Sequence, residues 1–356
     1  MADLHRDESG SATARPSRSG REAPVPRIAD ARPGRDWVGL AVNAASGRGG
    51  GRAAVERLAR ELERLGFESR IAWTLDERKE LVDLASDATA QPGRGRGSCR
   101  GLVAVGGDGT VAALINERPG VPIAVMPAGT ENLFARHFGF ARNSMKAAAR
   151  IAEGHAEPLD LGLIDDRRFA LMAGFGFDAD VVSRHHAARL GRSGQPRPTH
   201  RAAYVEPVLR SSFAYRFPAL TLTAEGVDGS EETLVGTTAF VFNLPRYALG
   251  LPFAPSATGD DGWLDLVVFR DPGPFRALHY LWLVVRGLHL NRPGITHRRV
   301  RRVAIEASGI VPVQLDGDPG GLVEPGEPPR IIEVLPRAIE VIVPDRKPSE
   351  AHRKIQ

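Results

Sequence analysis

The chain has 356 residues, 42% hydrophobic and 25% charged, with a net charge of +4, an ordinary globular composition with length enough for two domains. Its single cysteine, Cys99, excludes an intramolecular disulfide and any multi-cysteine metal site and fits a reducing cytoplasm, and no run reaches the ~18 consecutive apolar residues of a spanning helix. The positive surplus, nearly all arginine, suits a nucleotide, an anionic membrane or nucleic acid without choosing among them.

Residues 1–36 mix Arg, Ser, Pro, Gly and acids without an apolar core, so they read as a disordered tail and not as a signal or transit peptide. Order is expected from residue 37, where an apolar strand over 37–42 runs into Asn43-Ala44-Ala45-Ser46-Gly47 and a glycine-rich turn. The helix that follows places Val55, Leu58, Ala59, Leu62 and Leu65 on one face and stops at Gly66. A strand over 69–74, a helical pattern through Leu81, Val82, Leu84 and Ala85, and a loop over 89–100 come next.

Leu102-Val103-Ala104-Val105 then leads into Gly106-Gly107-Asp108-Gly109-Thr110 and a helix over 111–117. A buried strand, a tight glycine turn and a helix start make a phosphate-binding geometry, because glycines admit close approach and the helix aims unpaired N–H groups and its dipole at the turn. A second such unit pairs the strand over 121–126 with Pro127-Ala128-Gly129-Thr130-Glu131-Asn132 and a helix through Arg136. Strands alternating with helices predict a doubly wound parallel sheet, with three polar turns at strand carboxyl ends, where such sheets bind ligands.

From about residue 158 the pattern changes to short strands, over 168–173, 219–223, 237–242, 263–269 and 302–306, interrupted by helical stretches over 178–190, 204–209 and 275–290. The expected organisation is a nucleotide-binding α/β domain over 37–158 and a β-rich, mostly antiparallel sandwich domain over 159–330. A C-terminal segment over 331–356 is expected to return to the first domain, and the active site to lie in the interdomain cleft.

Absences narrow the chemistry. None of the four lysines follows a glycine, which removes the Walker A loop. Gly174-Phe175-Gly176-Phe177-Asp178-Ala179 matches the start of a Rossmann fingerprint, but no acid lies between Asp180 and Glu206 to complete it. Protein-kinase signatures are absent too.

The glycine turn, Asn116-Glu117 and residues 127–136 resemble the diacylglycerol kinase catalytic-domain family, which includes sphingosine, ceramide and bacterial lipid kinases. The likeness extends in order through Asn43-Ala44-Ala45-Ser46-Gly47, Leu159-Asp160-Leu161-Gly162, residues 173–179, Asp261-Gly262-Trp263-Leu264-Asp265 and Asp316-Gly317-Asp318-Pro319. It implies an ATP-dependent kinase that phosphorylates a lipid hydroxyl with Mg²⁺. By the same resemblance, the backbone of Gly106, Gly107, Asp108, Gly109 and Thr110 would hold phosphates, helped by Asn43, Ser46, Thr74, Gly129, Thr130 and Asn132. Asp108 would serve the nucleotide or its Mg²⁺, or cap a helix. Asp316 would be the general base in a turn where the family has Asp-Gly-Glu, with Asp318 replacing the Glu.

The resemblance further implies that Arg136, Asp178 and Asp180 meet the lipid head group and that Asp261 and Asp265 bind a structural cation. Helix surface explains Asp180 and turn chemistry explains Asp261 and Asp265 equally well. Leu133 stands where many bacterial members carry an Asp. Acyl-glycerols are the default substrate, with a long-chain base as the alternative.

Phe275, Leu278, Leu281, Trp282, Val285 and Leu288 share one helical face, and His297-Arg298-Arg299-Val300-Arg301-Arg302 is a basic run. A stripe of this kind ordinarily packs into a core and an arginine run is ordinarily solvated, so inward packing is the expectation and peripheral membrane contact a hypothesis. The expected partners are thus a lipid substrate and the inner membrane face of the cytoplasm, not nucleic acid, and a homodimer is an open option. Two rivals stand beside this reading: an NAD-kinase-like enzyme with a soluble substrate, and a non-catalytic nucleotide- or nucleic-acid-binding protein on the same scaffold.

Overall fold

The computed structural model describes residues 36–43, 51–90, 97–190, 203, 205–290 and 292–343. Ser46, the tail apart from Asp36, and residues 344–356 of the C-terminal segment lie outside the described residues, as does Tyr204.

Four apolar runs build the parallel layer. β1 (Trp37–Val42), β2 (Glu68–Ala72), β3 (Cys99–Gly106) and β4 (Ile123–Pro127) lie in the order β4-β3-β1-β2, each pair parallel. β1 and β4 are buried at every position, as strands covered on both faces must be. Between and after them run α1 (Arg52–Arg64), α2 (Leu75–Ala90), α3 (Asp108–Asn116), α4 (Leu133–His137) and α5 (Ser144–Glu153). The loop read over 89–100 is shorter than expected, since α2 extends to Ala90 and β3 begins at Cys99.

The second half is antiparallel. β5 (Ala156–Ile164), β6 (Arg167–Phe169) and β7 (Met172–Gly176) precede α6 (Phe177–Leu190) and α7 (Val205–Ala214), and β8 (Leu220–Gly226), β9 (Glu231–Gly236) and β10 (Thr238–Phe242) follow. A hairpin of β11 (Arg246–Tyr247) and β12 (Leu251–Pro252) leads to β13 (Leu264–Phe269), α8 (Pro274–Val285), β14 (Ile295–Ala307), β15 (Val311–Leu315), β16 (Asp318–Val323) and β17 (Arg330–Ile342). The strands run in the order β16-β15-β7-β10-β13-β14-β17, with β5 and β8 pairing off this path.

Period-two alternation divides the side chains of these strands between two cores. Phe175, Ala239, Val241, Leu264, Leu266 and Val268 fill the sandwich interior with Leu220, Leu222, Val303 and Ile305. Phe240, Phe242, Val267 and Phe269 face the opposite way, into a core continuous with that of the parallel sheet. β17 joins the layers: Arg302↔Glu333 pairs it antiparallel with β14, while Val341↔Ile123 pairs it parallel with β4.

One expectation fails. The α8 stripe faces outward, with Phe275, Leu278, Leu281, Trp282, Val285 and Leu288 between 41% and 87% exposed. The helix carries a second apolar set, Tyr280, Leu283 and Val284, and this is the face that packs inward, with the Tyr280 ring 5.0 Å from that of Phe269. Two apolar faces on one helix leave periodicity unable to choose between them.

Candidate active site

The glycine turn is held by the turn after β4. Ala128 N–H donates to the Gly106 carbonyl at 2.8 Å, and the backbones at Gly107 and Gly129 touch so closely that a β-carbon on Gly129 would stand 2.5 Å from Gly107 Cα. Asn132, at φ +49°, locks the second turn by accepting from Gly129 N–H at 2.9 Å and donating to the Gly129 carbonyl at 2.8 Å. Its side chain therefore fixes the loop. Thr130 sits within this same turn.

Asp108 caps a helix, but a distant one. Its carboxylate accepts Leu133 N–H and Phe134 N–H, both at 3.0 Å, so it caps α4, about 25 residues on, rather than α3. Burial raises its pKa, the two N–H bonds oppose the rise, and Glu131 adds to it. The N–H groups of Gly107, Asp108 and Gly109 stand at the first turn of α3, which has no intrahelical acceptors for them. Thr110 Oγ1 is buried beside them without a hydrogen-bond partner.

Thr74 serves a capping box: its Oγ1 accepts Glu77 N–H at 3.2 Å, while Glu77 accepts Trp73 N–H at 2.7 Å and Thr74 N–H at 3.1 Å. The Thr-x-x-Glu spacing was a legible sign of that role. Asn43 closes β1, its N–H on the Val105 carbonyl at 3.1 Å, at the same sheet end as the glycine turn.

The acid turn comes from the other layer. Asp316 and Gly317 form the two-residue loop between β15 and β16 with φ +52° and +89°, as a tight hairpin loop of this kind requires. The Asp316 carboxylate accepts three backbone N–H groups: Leu171 at 2.8 Å and Met172 at 3.0 Å on Oδ1, and Ala170 at 2.8 Å on Oδ2. Two carboxylate oxygens offer about four acceptor positions, so one remains, on Oδ2. Burial pushes its pKa up to about 6; the three N–H bonds restrain the rise and the charge of Asp108 adds to it.

The two turns meet. A β-carbon built on Gly109 would lie 3.3 Å from Asp318 Oδ2, which places that carboxylate over the start of α3. Asn116, at the far end of α3, exchanges two 2.9 Å hydrogen bonds with the Arg168 backbone, just before the N–H groups that grip Asp316. One helix thus registers both turns.

Asp178 lies at the start of α6 and accepts from Tyr247 O–H at 3.1 Å and Gln314 Nε2 at 3.2 Å. Burial pushes its pKa up to about 6 against those two bonds. Gln314 also accepts Gly317 N–H at 2.8 Å, so it links Asp178 to the acid turn. Neither Gln314 nor Tyr247 was expected in the site. Gln314 left a signal, a polar residue inside the apolar run Val311-Pro312-Val313-Gln314-Leu315; Tyr247 left none. Gly174 explains itself here, since a β-carbon there would stand 2.7 Å from Gln314 Nε2.

Asp180 is paired with Arg184 at 2.7 Å, one helical turn on. Arg136 is exposed and lies against the tip of the β11–β12 hairpin, its guanidinium 3.1 Å from where a β-carbon on Gly250 would be. Asp261 bonds Arg299 and Trp263 N–H, while Asp265 accepts Ser256 O–H at 2.7 Å and stands 2.6 Å from His297 Nε2. Among the described residues no three His, Cys, Asp or Glu side chains gather closely enough to hold a metal.

Residues 38–164 match the diacylglycerol kinase catalytic domain, and residues 172–343 match the YegS C-terminal NAD kinase beta sandwich-like domain. The diacylglycerol kinase of Mycobacterium tuberculosis (strain ATCC 25618 / H37Rv) is 30% identical over 252 residues, covering 68% of this chain and 76% of that protein. That of Bacillus subtilis (strain 168) is 27% identical over 254 residues, covering 69% and 78%. Two crystal structures from Bacillus anthracis str. Sterne, described as diacylglycerol kinases, align with TM-scores of 0.63 and 0.60 at 23% and 20% identity, each covering 87% of this chain and 97% of the other. At that identity they speak for the shared fold.

Proposed function

The chain belongs to the diacylglycerol kinase catalytic-domain family, and from that premise we propose that it is an ATP-dependent kinase of a diacylglycerol-like lipid. The observation that carries the reading is the meeting of the two turns: Asp318 stands over the N-terminus of α3, with Asp316 close enough to Asp108 for their charges to couple.

The residues present fit a nucleotide triphosphate. Gly107 and Gly129 let the two turns pack backbone against backbone, Gly106 leaves room for the Thr110 side chain, and the first-turn N–H groups of α3 have no intrahelical acceptors and suit a phosphate. When bound, ATP supplies the transferable phosphoryl group. Gly107 and Gly109 N–H groups would hold its phosphate oxygens, with Asn43, Thr74 and Thr130 at the rim. Among the described residues the Asp318 carboxylate has no hydrogen-bond or ion-pair partner, so it offers hard oxygens of the kind Mg²⁺ takes. Mg²⁺ there would neutralise phosphate charge.

Asp316 accepts the proton of the acceptor hydroxyl at the open position on Oδ2. A carboxyl raised to about 6 suits that task, since it is ionised at neutral pH and more basic than an exposed carboxylate. Asp178, held by Tyr247 and Gln314, and Arg136, beside the hairpin, would meet the head group. Asp180 is already paired with Arg184, which favours an acyl-glycerol over an amine-bearing base. A lipid acceptor calls for peripheral contact with a membrane, and no helix among the described residues is long and apolar enough to cross one.

The test is transfer of labelled γ-phosphate from ATP to diacylglycerol, to sphingosine and to NAD in parallel. Label is expected in the diacylglycerol product. Label found only in NAD, or only as free phosphate, would sink the proposal.

A further inference from the structure

We infer that the outward face of α8 is a docking surface for an anionic lipid bilayer, placed to bring the cleft onto the membrane. The inference rests on the lipid-kinase reading for its purpose but not for its evidence.

Six large apolar side chains, Phe275, Leu278, Leu281, Trp282, Val285 and Leu288, lie on one side of a short helix and its C-terminal turn. Tyr280, Leu283 and Val284 already satisfy the packing demand of the opposite face, so the outer stripe contributes nothing to the core. Scattered exposed apolar residues are normal in a soluble protein, but five in register on one helix with a sixth in the turn after it are not.

The charge around the stripe selects the occupant. Residues 272–305 contain seven arginines and no Asp or Glu. Arg298 and Arg299 are paired with Glu232 and Asp261, Arg301 lies over the Trp263 ring and Arg302 sits further along β14, while Arg276, Arg286 and Arg292 border the helix. Asp271 is the acid that flanks them, 3.8 Å from Arg276. Arg286 lies over the Trp282 ring at 6.0 Å, and His279 stacks on the same ring. Aromatic and aliphatic residues on one face with a border in which arginines outnumber the single acid, Asp271, is the composition of a helix that lies in the headgroup layer of an anionic membrane. A second copy of the chain fits worse. A two-fold contact through α8 would set these arginines against their own counterparts, with Asp271, already beside Arg276, as the one flanking acid to answer them.

The position serves the cleft. α8 packs on β12, the outer strand of the hairpin whose Tyr247 bonds Asp178 and whose Gly250 turn touches Arg136. Leu249, at the tip of that hairpin, is also exposed. A bilayer seated on α8 therefore lies one hairpin away from the residues assigned to the lipid head group.

The test is co-sedimentation of the full chain, without ATP or acceptor, with vesicles of phosphatidylcholine alone and with about one third phosphatidylglycerol. Binding is expected to the anionic vesicles, to weaken in about 0.5 M NaCl, and to fall about tenfold or more in Phe275→Ser/Leu278→Ser/Trp282→Ser. The single exposed change Leu278→Asp, checked by its thermal melt, is the second variant and should show the same loss. Absence of vesicle binding, or binding that both variants retain, would overturn the inference. So would a dimer in sedimentation velocity that the same variants abolish, since the face would then belong to a second copy. Because binding is read without turnover, α8-dependent binding by a protein that phosphorylates no lipid would leave this inference standing and remove the kinase reading.

Discussion

Around residues 106–109 the groups proposed to meet phosphate are backbone N–H groups, and the side chains of Asn132 and Asp108 hold the neighbouring loop in shape. Around residues 316–318 the roles are exchanged: backbone N–H groups of Ala170, Leu171 and Met172 grip one carboxylate, and the side chains of Asp316 and Asp318 are the groups proposed to work. The difference teaches where each turn is vulnerable. A site made of backbone is lost to added volume, whereas a site made of side chains is lost to altered charge.

Substitutions can break that contrast. Asp316→Asn is expected to cost the most, about 10²–10⁴ in kcat, because the open position on Oδ2 no longer takes a proton. ATP binding should survive it, and equal turnover in both proteins would remove Asp316 as the base. Gly129→Ala comes next: its β-carbon must displace Gly107 Cα, and a misplacement of about 1 Å would cost on the order of 10² in kcat/KM, with nucleotide affinity reduced. Gly317→Ala is the control, because a β-carbon there meets nothing within 4 Å and only the positive φ is strained.

The third expectation concerns pH. On the proposed mechanism the ionised form of Asp316 is the active one and its pKa is raised to about 6, so kcat/KM should fall as pH drops through that value, by about tenfold per unit below it. Stability moves the other way. Asp316 and Asp178 bind protons more tightly folded than unfolded, so their stabilising contribution is complete below their ordinary value of 3.8 and is lost as pH rises towards about 6. Denaturation midpoints between those limits check the sign.

Asp108→Ala should cost about 1–2 kcal/mol by uncapping α4, read as a lower urea midpoint. Asp180→Asn is the smallest, about 0.3–0.5 kcal/mol for one partly buried i,i+4 pair. Turnover of diacylglycerol should stay within about twofold of the parent in this variant. A larger loss would bring Asp180 back to the head group.

Much of this was legible early because it is local. Strand–turn–helix units announce themselves through apolar runs followed by glycine and helical spacing, and Asp316-Gly317 carries the residue pair that two-residue hairpins favour. Gln314 could have been noticed as a polar residue in a buried strand. Asn132 and Thr74 also hold the shape of their own turns, a task beside the roles the resemblance implied. The α8 stripe was legible as a stripe and illegible as to which way it faced.

The sequence by itself determined the alternation of elements, the positions of the tight turns and the supply of acids. Tertiary structure alone decided that Asp108 caps α4, that Asp316 is gripped from 144 to 146 residues away, and that Asp318 looks onto Gly109. The physical reason lies in the donors. Every residue but proline carries the same N–H group, so no residue type marks which ones will surround a carboxylate, and only the closing of one layer on the other chooses them.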